Sequence, residues 1–198
     1  MREGILFIVS GPSGSGKTTL TRRVIGMVDN LRFSVSCTTR PPRPGEVDGV
    51  DYRFVSEDEF DEMIRGGKLA EWAVVHGNRY GTPIEELDRA KSSGVDLIMD
   101  LDVQGARNIR SRYGGGVFIF VLPSSFEALR ERLIERRSEE PYEIKKRLDN
   151  AKREMEEIEF YDYIIINDSL DKALEDLASI VRAERCRGER VLKSGILG

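Results

Sequence analysis

The sequence predicts an α/β fold in which a parallel β-sheet is covered by helices on both faces. Three observations lead to this prediction: four short apolar runs have the character of buried strands, helical patterns separate or follow them, and a glycine-rich loop joins the first run to the first helix. The chain has 198 residues and 39% hydrophobic content, enough for one domain with its own core. The predicted strands are residues 5–10, 95–102, 117–122 and 163–167.

Helices are predicted wherever apolar residues recur at helical spacing. Ser124 or Ser125 can cap the third predicted helix, and Pro141 occupies a first-turn position in the fourth. The helical segments are 17–28, 104–112, 126–137, 141–160 and 170–186.

The stretch from about residue 33 to residue 81 breaks the alternation of strands and helices. Residues 33–38 are β-like, and the segment 39–46 is rich in turns and prolines. Ser56 and Glu59 form a capping box for a short helix that ends at Gly66-Gly67. Two further β-like runs, 69–75 and 78–82, follow around a Gly-Asn turn.

The sequence is therefore predicted to form a single domain, 1–198, with two lobes. A small mixed β lobe (about 33–81) and a helical lobe (about 126–150) are inserted into a core. We expect that core to consist of residues 1–32, 82–125 and 151–190.

Composition excludes several classes of protein. A net charge of -4 gives no general attraction to nucleic acid, and no apolar run reaches the length of a membrane span. The first residues lead directly into a strand and do not resemble a signal peptide. Cys37 and Cys186 lack metal-ligand spacing, so we expect two reduced thiols in a cytoplasmic protein.

The loop between the first strand and the first helix carries the strongest chemical signal. It follows the pattern G-x-x-x-x-G-K-[ST], with a predicted strand before it and a helix after it. Its backbone N–H groups and the helix N-terminus favour a phosphate, Lys17 can reach the outer phosphates, and the Thr18 hydroxyl can hold Mg²⁺. The predicted triphosphate-binding residues are Gly11, Pro12, Ser13, Gly14, Ser15, Gly16, Lys17 and Thr18.

Asp100 ends the second predicted core strand. Strand C-termini in open α/β sheets face the ligand crevice, so Asp100 is placed like a Walker B acid that works with Thr18 at a magnesium ion. A structural role, in which Asp100 pairs with Lys17 in the absence of ligand, is the alternative.

Arg40 and Arg43 lie three residues apart on the proline-stiffened segment. A rigid loop that presents two guanidinium groups suits a second phosphate, and Tyr52 and Tyr80 can add hydroxyl donors. A solvated basic loop and a nucleic-acid patch remain alternatives on these residues alone.

A series of short segments follows in order along the chain: Phe33-Ser34-Val35-Ser36, Thr38-Thr39-Arg40, Pro42-Arg43, Gly45-Glu46, Gly49, Asp51-Tyr52, Phe54, Glu71-Trp72-Ala73, Gly77-Asn78, Tyr80-Gly81-Thr82, Asp100, Asp102, Gln104-Gly105, Tyr161-Asp162-Tyr163 and Asn167-Asp168. Taken together, and from about residue 5 to residue 180, the sequence resembles guanylate kinases.

The resemblance implies a GMP site in the β lobe. Residues matching Arg40, Arg43, Tyr52 and Tyr80 hold the GMP phosphate. Glu71 reads guanine, helped by Ser36, Thr82 and Asp102. An ionised carboxylate can accept hydrogen bonds from both N1–H and the 2-amino group of guanine, whereas adenine offers neither donor. Without the resemblance, Glu71 would be interpreted as a surface acid at a strand edge.

The resemblance also implies an arginine lid over the ATP phosphates, formed by Arg132, Arg136 and Arg147. The alternative is an exposed ion-pair network with glutamates of the same helix. The family usually has Arg-Gly where this chain has Arg136-Arg137, so the resemblance does not assign the phosphate contact between these two. Asn167 is expected near adenine, and His76 at the surface or in packing.

The sequence thus predicts a kinase that transfers the γ-phosphate of ATP to GMP, giving ADP and GDP, with Mg²⁺ as cofactor and neither nucleic acid nor membrane as partner. One alternative is a non-catalytic guanylate-kinase-like interaction module, and another is a related P-loop kinase with a different phosphorylated acceptor. A P-loop GTPase is disfavoured because no Asn-Lys-x-Asp motif is present.

Overall fold

Nine strands form two β-sheets in the computed structural model, which describes residues 2–75, 77–135 and 141–193. Sequence-predicted residues His76, Arg136 and Arg137 lie outside the described residues. In chain order the strands are β1 (Leu6–Ser10), β2 (Leu31–Phe33), β3 (Cys37–Thr38), β4 (Arg53–Phe54), β5 (Leu69–Val75), β6 (Asn78–Pro83), β7 (Asp96–Asp100), β8 (Val117–Pro123) and β9 (Tyr163–Asn167).

The larger sheet has five parallel strands in the order β2-β7-β1-β8-β9. All four predicted core strands are present. On the central strand β1, Leu6 is in register with Leu97 of β7, and Phe7 with Val117 of β8. This parallel arrangement brings the carboxyl ends of β1, β7, β8 and β9 to one edge of the sheet, where the glycine-rich loop begins.

Helices cover both faces of this sheet, as predicted. The bounds are α1 (Lys17–Val24), α2 (Glu57–Arg65), α3 (Ile84–Ser93), α4 (Val103–Tyr113), α5 (Phe126–Glu135), α6 (Pro141–Met155), α7 (Leu170–Arg185) and α8 (Gly188–Lys193). A 3-10 turn at Ile158–Phe160 follows α6, so the predicted helix 141–160 ends earlier than expected. Helices α3 and α8 are additional to the prediction. Within the described segments, no helix is both long and apolar enough to cross a bilayer.

Two hydrophobic clusters lie on opposite faces of the five-stranded sheet. Phe7 and Val9 of β1 pack with residues of α1 and α7, including Leu20 and Leu177. Leu6 and Ile8 point to the other cluster, which includes residues of α3 and α4. Because alternate residues of a strand face opposite sides, this explains why β1 is apolar from Leu6 to Val9.

The smaller sheet has the strand order β4-β3-β6-β5, with β3 and β5 antiparallel to β6. The prediction of one β-like run over 33–38 was wrong in detail. Phe33 ends β2 and pairs with Ile98 of the core sheet, whereas Cys37 begins β3 of the smaller sheet. Strand propensity marks extended backbone but does not identify the partner strand, so the passage between sheets was not visible in the sequence.

The predicted caps are confirmed by hydrogen bonds. Ser56 Oγ accepts from the Glu59 backbone N–H at 3.1 Å and so caps α2. Of the two serines before α5, it is Ser125 that acts, because its Oγ accepts from the Ala128 backbone N–H at 3.0 Å.

Asp96 ties the amino-terminal edge of the core sheet together. Its carboxylate is fully buried and accepts from the Ile5 backbone N–H at 2.8 Å, from Arg2 at 2.8 Å and from Arg185 Nε at 2.7 Å. We expect Asp96→Ala to lower the free energy of unfolding by about 3 kcal/mol or more, because it leaves a buried N–H and two guanidinium groups without their partner.

Urea denaturation should measure this loss against Asp176→Ala, a control at an exposed aspartate of α7. Equal midpoints for the two variants would show that Asp96 does not anchor this edge.

Candidate functional site

The glycine-rich loop connects β1 to α1 and has backbone conformations that require glycine. Gly11 and Gly16 have φ values of 149° and 90°. A Cβ on Gly16 would lie 2.3 Å from Asn167 Nδ2, and a Cβ on Gly11 would lie 2.3 Å from the Val121 carbonyl oxygen. The N-cap of α1 is Gly16, which has no side chain to accept from the first turn of the helix. The first N–H groups of α1 are therefore available to an anion, as a phosphate loop needs.

Three polar side chains meet at the carboxyl end of β7. Thr18 Oγ1 donates to Asp100 Oδ2 at 2.5 Å, and Lys17 Nζ lies 4.0 Å from Asp100 Oδ1. The hydroxyl and the carboxylate are oxygen ligands of the kind that Mg²⁺ takes together with substrate phosphates. The pairing of Lys17 with Asp100 was the structural alternative, and it coexists here with the arrangement that suits a metal.

Asn167 links the phosphate loop to α5. Its side-chain Nδ2 donates to the Ser15 backbone carbonyl at 2.8 Å. Its backbone carbonyl accepts from Arg132 Nη2 at 3.1 Å. Arg132 and Asn167 border an open cavity of about 620 Å³. The cavity is lined by Gly14, Gly16, Thr19, Arg132, Asn167, Asp168 and Leu170.

Helices α5 and α6 pack together over the phosphate loop. Leu129 and Leu133 of α5 are buried with Ala151 of α6, and a Cβ on Gly14 would lie 3.0 Å from Leu129. Arg147 is half-buried on α6. The third predicted lid residue, Arg136, is outside the described part of the chain.

Sequence reasoning assigned no role to Glu154 on α6. Burial raises the pKa of its carboxyl to about 7; the Lys17 charge lowers that pKa and Asp102 adds to the rise. The charges of Lys17 and Asp102 therefore act on Glu154, a relation that the helical pattern alone could not indicate.

A cavity of about 200 Å³ joins the phosphate loop to the smaller sheet. Eight of the residues predicted from sequence line it: Lys17, Thr18, Ser36, Tyr52, Glu71, Tyr80, Asp100 and Asp102. The remaining lining residues are Ala73, Val75 and Leu101. Residues far apart in sequence, on the loop, the core sheet and the smaller sheet, therefore share one space.

Glu71 is the most deeply buried acid of this cavity, with 3% of the residue exposed. It lies opposite Thr82 in the β5–β6 pairing, and Thr82 Oγ1 donates to its Oε1 at 2.7 Å. Burial raises the pKa of Glu71 to about 7; the Thr82 hydrogen bond opposes the rise and the nearby Asp102 adds to it. The interpretation of Glu71 as a surface acid was wrong.

Asp102 provides a second carboxylate to the same cavity. It caps α4, and its Oδ1 accepts from the Gly105 backbone N–H at 2.7 Å. Burial raises the pKa of Asp102, whereas this hydrogen bond and Lys17 lower it. Glu71 and Asp102, whose pKa values burial raises, are two of the three carboxyl groups that line this cavity; the third is Asp100.

Arg40 belongs to a cluster with the two predicted tyrosines. The residue is 8% exposed, its Nε donates to the Tyr80 hydroxyl at 3.2 Å, and its guanidinium carbon lies 5.5 Å from the centroid of the Tyr52 ring. Burial raises the pKa of the Tyr52 hydroxyl to about 12, so that it remains a proton donor. The solvated-loop alternative is therefore wrong for Arg40.

Glu46 is a partner of this loop to which sequence reasoning gave no role. It accepts from Arg40 Nη2 at 2.9 Å and from the Arg43 backbone N–H at 2.7 Å, whereas Arg43 itself is exposed and outside the cavity lining. Its position was the available signal, because an acid three residues after Arg43, in the same loop as Arg40, can pair with one of these arginines. Glu46 therefore holds the Arg40 guanidinium in place.

A phosphate loop at the carboxyl end of a central parallel strand, opening onto a second polar cavity at its lysine, is the arrangement of a P-loop kinase. Comparison with known proteins gives the family. The family model described as guanylate kinase matches residues 3–184, and the chain belongs to the guanylate kinase family.

Individual relatives match nearly the whole chain. It is 54% identical over 193 residues to the guanylate kinase of Geobacter metallireducens, with 98% of this chain and 95% of that protein covered. It is 45% identical over 188 residues to that of Thermotoga maritima, covering 95% and 91%. It superimposes on the crystal structure of guanylate kinase from Anaplasma phagocytophilum with a TM-score of 0.80 and 33% identity, covering 96% and 90%.

Proposed function

We propose that this protein transfers the γ-phosphate of ATP to the phosphate of GMP, giving ADP and GDP. One observation carries the proposal: Lys17 and Thr18 of the phosphate loop line the same cavity as Glu71 and Tyr80. A donor site and an acceptor site that share a wall allow direct transfer between two nucleotides.

The donor nucleotide occupies the phosphate loop in this proposal. Backbone N–H groups of the phosphate loop, except at Pro12, which has none, are available to hold its phosphates, and Asn167 is placed beside its adenine. Thr18 and Asp100 would hold Mg²⁺, which would supply positive charge to the transferring group. Arg132, Arg136 and Arg147 complete the charge neutralisation as the helical lobe closes, which also excludes water.

GMP occupies the 200 Å³ cavity in this proposal. The ionised carboxylate of Glu71 accepts from N1–H and the 2-amino group, with Ser36, Thr82 and Asp102 as further contacts. The GMP phosphate is held by Arg40, Arg43, Tyr52 and Tyr80. Arg40 must then give up hydrogen bonds to Glu46 in order to bind that phosphate.

The chemical step is an in-line displacement. An oxygen of the GMP phosphate attacks the γ-phosphorus, the bond from that phosphorus to the bridging oxygen of ADP breaks, and ADP leaves with the electron pair. A phosphate oxygen is already nucleophilic, so no strong base is required. Lys17 stabilises charge on the transferring group, and the arginines align the two nucleotides.

We assign these functions to the two lobes predicted from the sequence. Residues 33–81 bind GMP, and residues 126–150 act as the lid. A cytoplasmic location is also part of the proposal, supported by the free thiols of Cys37, which is buried, and Cys186.

The pH dependence of GMP binding should follow the Glu71 carboxyl. Below its pKa of about 7 the carboxyl is protonated and can no longer accept both guanine hydrogen bonds, so affinity is lost as pH falls. We expect the Kd for GMP, measured by calorimetry, to rise about tenfold from pH 8 to pH 6. The GMP phosphate titrates near pH ~6, so Glu71→Gln is the reference. Parallel profiles for the two proteins would contradict the assignment.

A coupled assay of ADP release across GMP, dGMP, AMP, CMP and UMP tests the proposed function. Turnover with the guanine nucleotides alone is the expected result. Turnover with a different phosphorylated acceptor would favour another kinase of this fold. Binding of GMP without turnover, in the presence of ATP and Mg²⁺, would favour a non-catalytic guanylate-kinase-like module.

A further inference from the structure

One face of α4 lies against β5, the strand that carries Glu71. Gly105, Asn108 and Arg112 have the spacing i, i+3 and i+7, which places them on the same side of a helix. Each of them meets β5 at or beside Glu71. Arg107 and Arg110, on other sides of α4, pair instead with Glu157 and Asp162.

Gly105 lies within α4, and the conformation of the helix does not require a glycine at this position. Glycine is among the least favourable residues in a helix, and Gly105 does not have a positive φ that would require it. Its value is the space it leaves: a Cβ there would lie 2.9 Å from Glu71 Oε2 and 3.1 Å from Asp102 Oδ1. The first distance is shorter than real Cβ contacts, so any side chain at this position would displace the Glu71 carboxylate.

Two longer side chains of the same face hold the backbone on both sides of Glu71. Arg112 Nη1 donates to the Ala70 carbonyl at 3.2 Å, and Asn108 Nδ2 donates to the Trp72 carbonyl at 3.4 Å. Since β5 is an edge strand of the smaller sheet, these bonds satisfy carbonyls next to Glu71 and fix their distance from the core. The Arg112 charge also opposes the rise that burial causes in the Glu71 pKa.

We propose that this face of α4 positions Glu71 for base recognition, with Gly105 setting the place of the carboxylate and Arg112 the place of the strand. The proposal rests on the proposed function, which assigns Glu71 to guanine. In this role Gly105 and Arg112 are positioning residues for specificity; they act on GMP through Glu71 and not on ATP.

Gly105→Ala separates this role from a purely structural one. We expect the Kd for GMP to rise about tenfold or more, because the carboxylate is displaced from its hydrogen-bonding geometry. The Kd for ATP should stay within about twofold. The melting temperature should stay close to that of the matched control, because only the Glu71 carboxylate has to move. The control is Gly188→Ala at the start of α8, where a Cβ meets no atom within 4 Å.

Arg112→Gln provides an independent test with a different readout. Removing the charge should move the midpoint of the pH dependence of GMP binding upward and weaken GMP severalfold at pH 7. Arg107→Gln removes a charge from another side of the same helix and should leave that midpoint unchanged. The proposal is overturned if both variants at positions 105 and 112 bind GMP as the parent does, or if they weaken ATP and GMP equally.

Glu71→Gln tells a failure of this proposal from a failure of the proposed function. If Glu71→Gln weakens GMP and the α4 variants do not, Glu71 reads guanine without help from α4. If Glu71→Gln itself leaves GMP binding intact, the acceptor assignment fails, and the α4 proposal fails with it.

Discussion

Lys17→Ala should lower kcat by about 10³-fold while the protein remains folded. Lys17 lies at the junction between the phosphate loop and the 200 Å³ cavity, which is where we propose that the phosphoryl group passes from donor to acceptor. A charge at this position is worth more in the transition state than in either bound nucleotide, because negative charge is shared between both ends of the transfer. The loss should therefore fall on kcat more than on the KM for GMP.

The measurement is steady-state ADP release with GMP, together with a thermal melt of the variant. Lys172→Ala, at an exposed lysine of α7, is the matched control and should retain parental turnover. Thr18 still contacts Asp100 when Lys17 is removed, so the carboxylate keeps a partner and the melting temperature should change little. Near-normal turnover in Lys17→Ala would refute the assignment of residues 11–18 to the phosphate donor.

The central strands of the core sheet were predictable because they are buried on both faces, and such strands are continuous apolar runs. In β1, residues 6–10 are all buried and residues 6–9 are apolar. The edge strand β9 was also predicted as a buried strand, but its Ile164 and Ile166 are exposed, so it is buried on one face. The short edge strand β2 has three residues, only one of them buried, and so gives no comparable signal. Helix α3 was missed although Leu87 and Ala90 show the helical period, and Gly94 ends it in a left-handed conformation.

The candidate site was predictable where one short segment carries the chemistry. The phosphate loop is predicted from residues 11–18 alone, because the glycines, Lys17 and Thr18 that would contact phosphate and metal all lie within eight consecutive positions. Glu71 is different: its burial depends on Thr82 across the sheet and on the start of α4. Neither partner is near it in sequence, so the residues alone favoured a surface acid.

The same distinction explains the residues that were missed. Glu46 and Arg112 act through bonds to Arg40 and to a backbone carbonyl, and such partners follow from the packing of loops and helices. Sequence patterns identify groups that could contact a ligand. The groups that hold those contacts in place become visible only when the strands and helices are assembled.

Glu71→Gln should lower kcat/KM for GMP by about 100-fold or more and leave the KM for ATP within about twofold. The amide keeps one acceptor oxygen but turns a donor toward one of the two guanine donors, so one hydrogen bond is lost and two donors face each other. AMP lacks the 2-amino group and has an acceptor at N1, so the preference for GMP over AMP should shrink at the same time.

The stability of this variant provides a check that it is folded. Burial makes the Glu71 carboxyl easier to protonate in the folded chain than in the unfolded one, with a pKa raised from 4.5 to about 7. A group of this kind stabilises the fold fully at low pH, and the contribution is lost as pH rises through about 7. An amide carries no charge, so at pH 8 Glu71→Gln should melt no lower than the parent protein.

The matched control is Glu62→Gln, at an exposed glutamate of α2 in the same lobe, which should leave both nucleotides unaffected. Equal losses for GMP and ATP in Glu71→Gln would mean that the substitution disturbs the cavity as a whole and that Glu71 does not select the base. A selective loss for GMP, without a lower melting temperature, would support the proposed pair of hydrogen bonds between the Glu71 carboxylate and the guanine edge. Adenine cannot form this pair, because it has an acceptor at N1 and no 2-amino group.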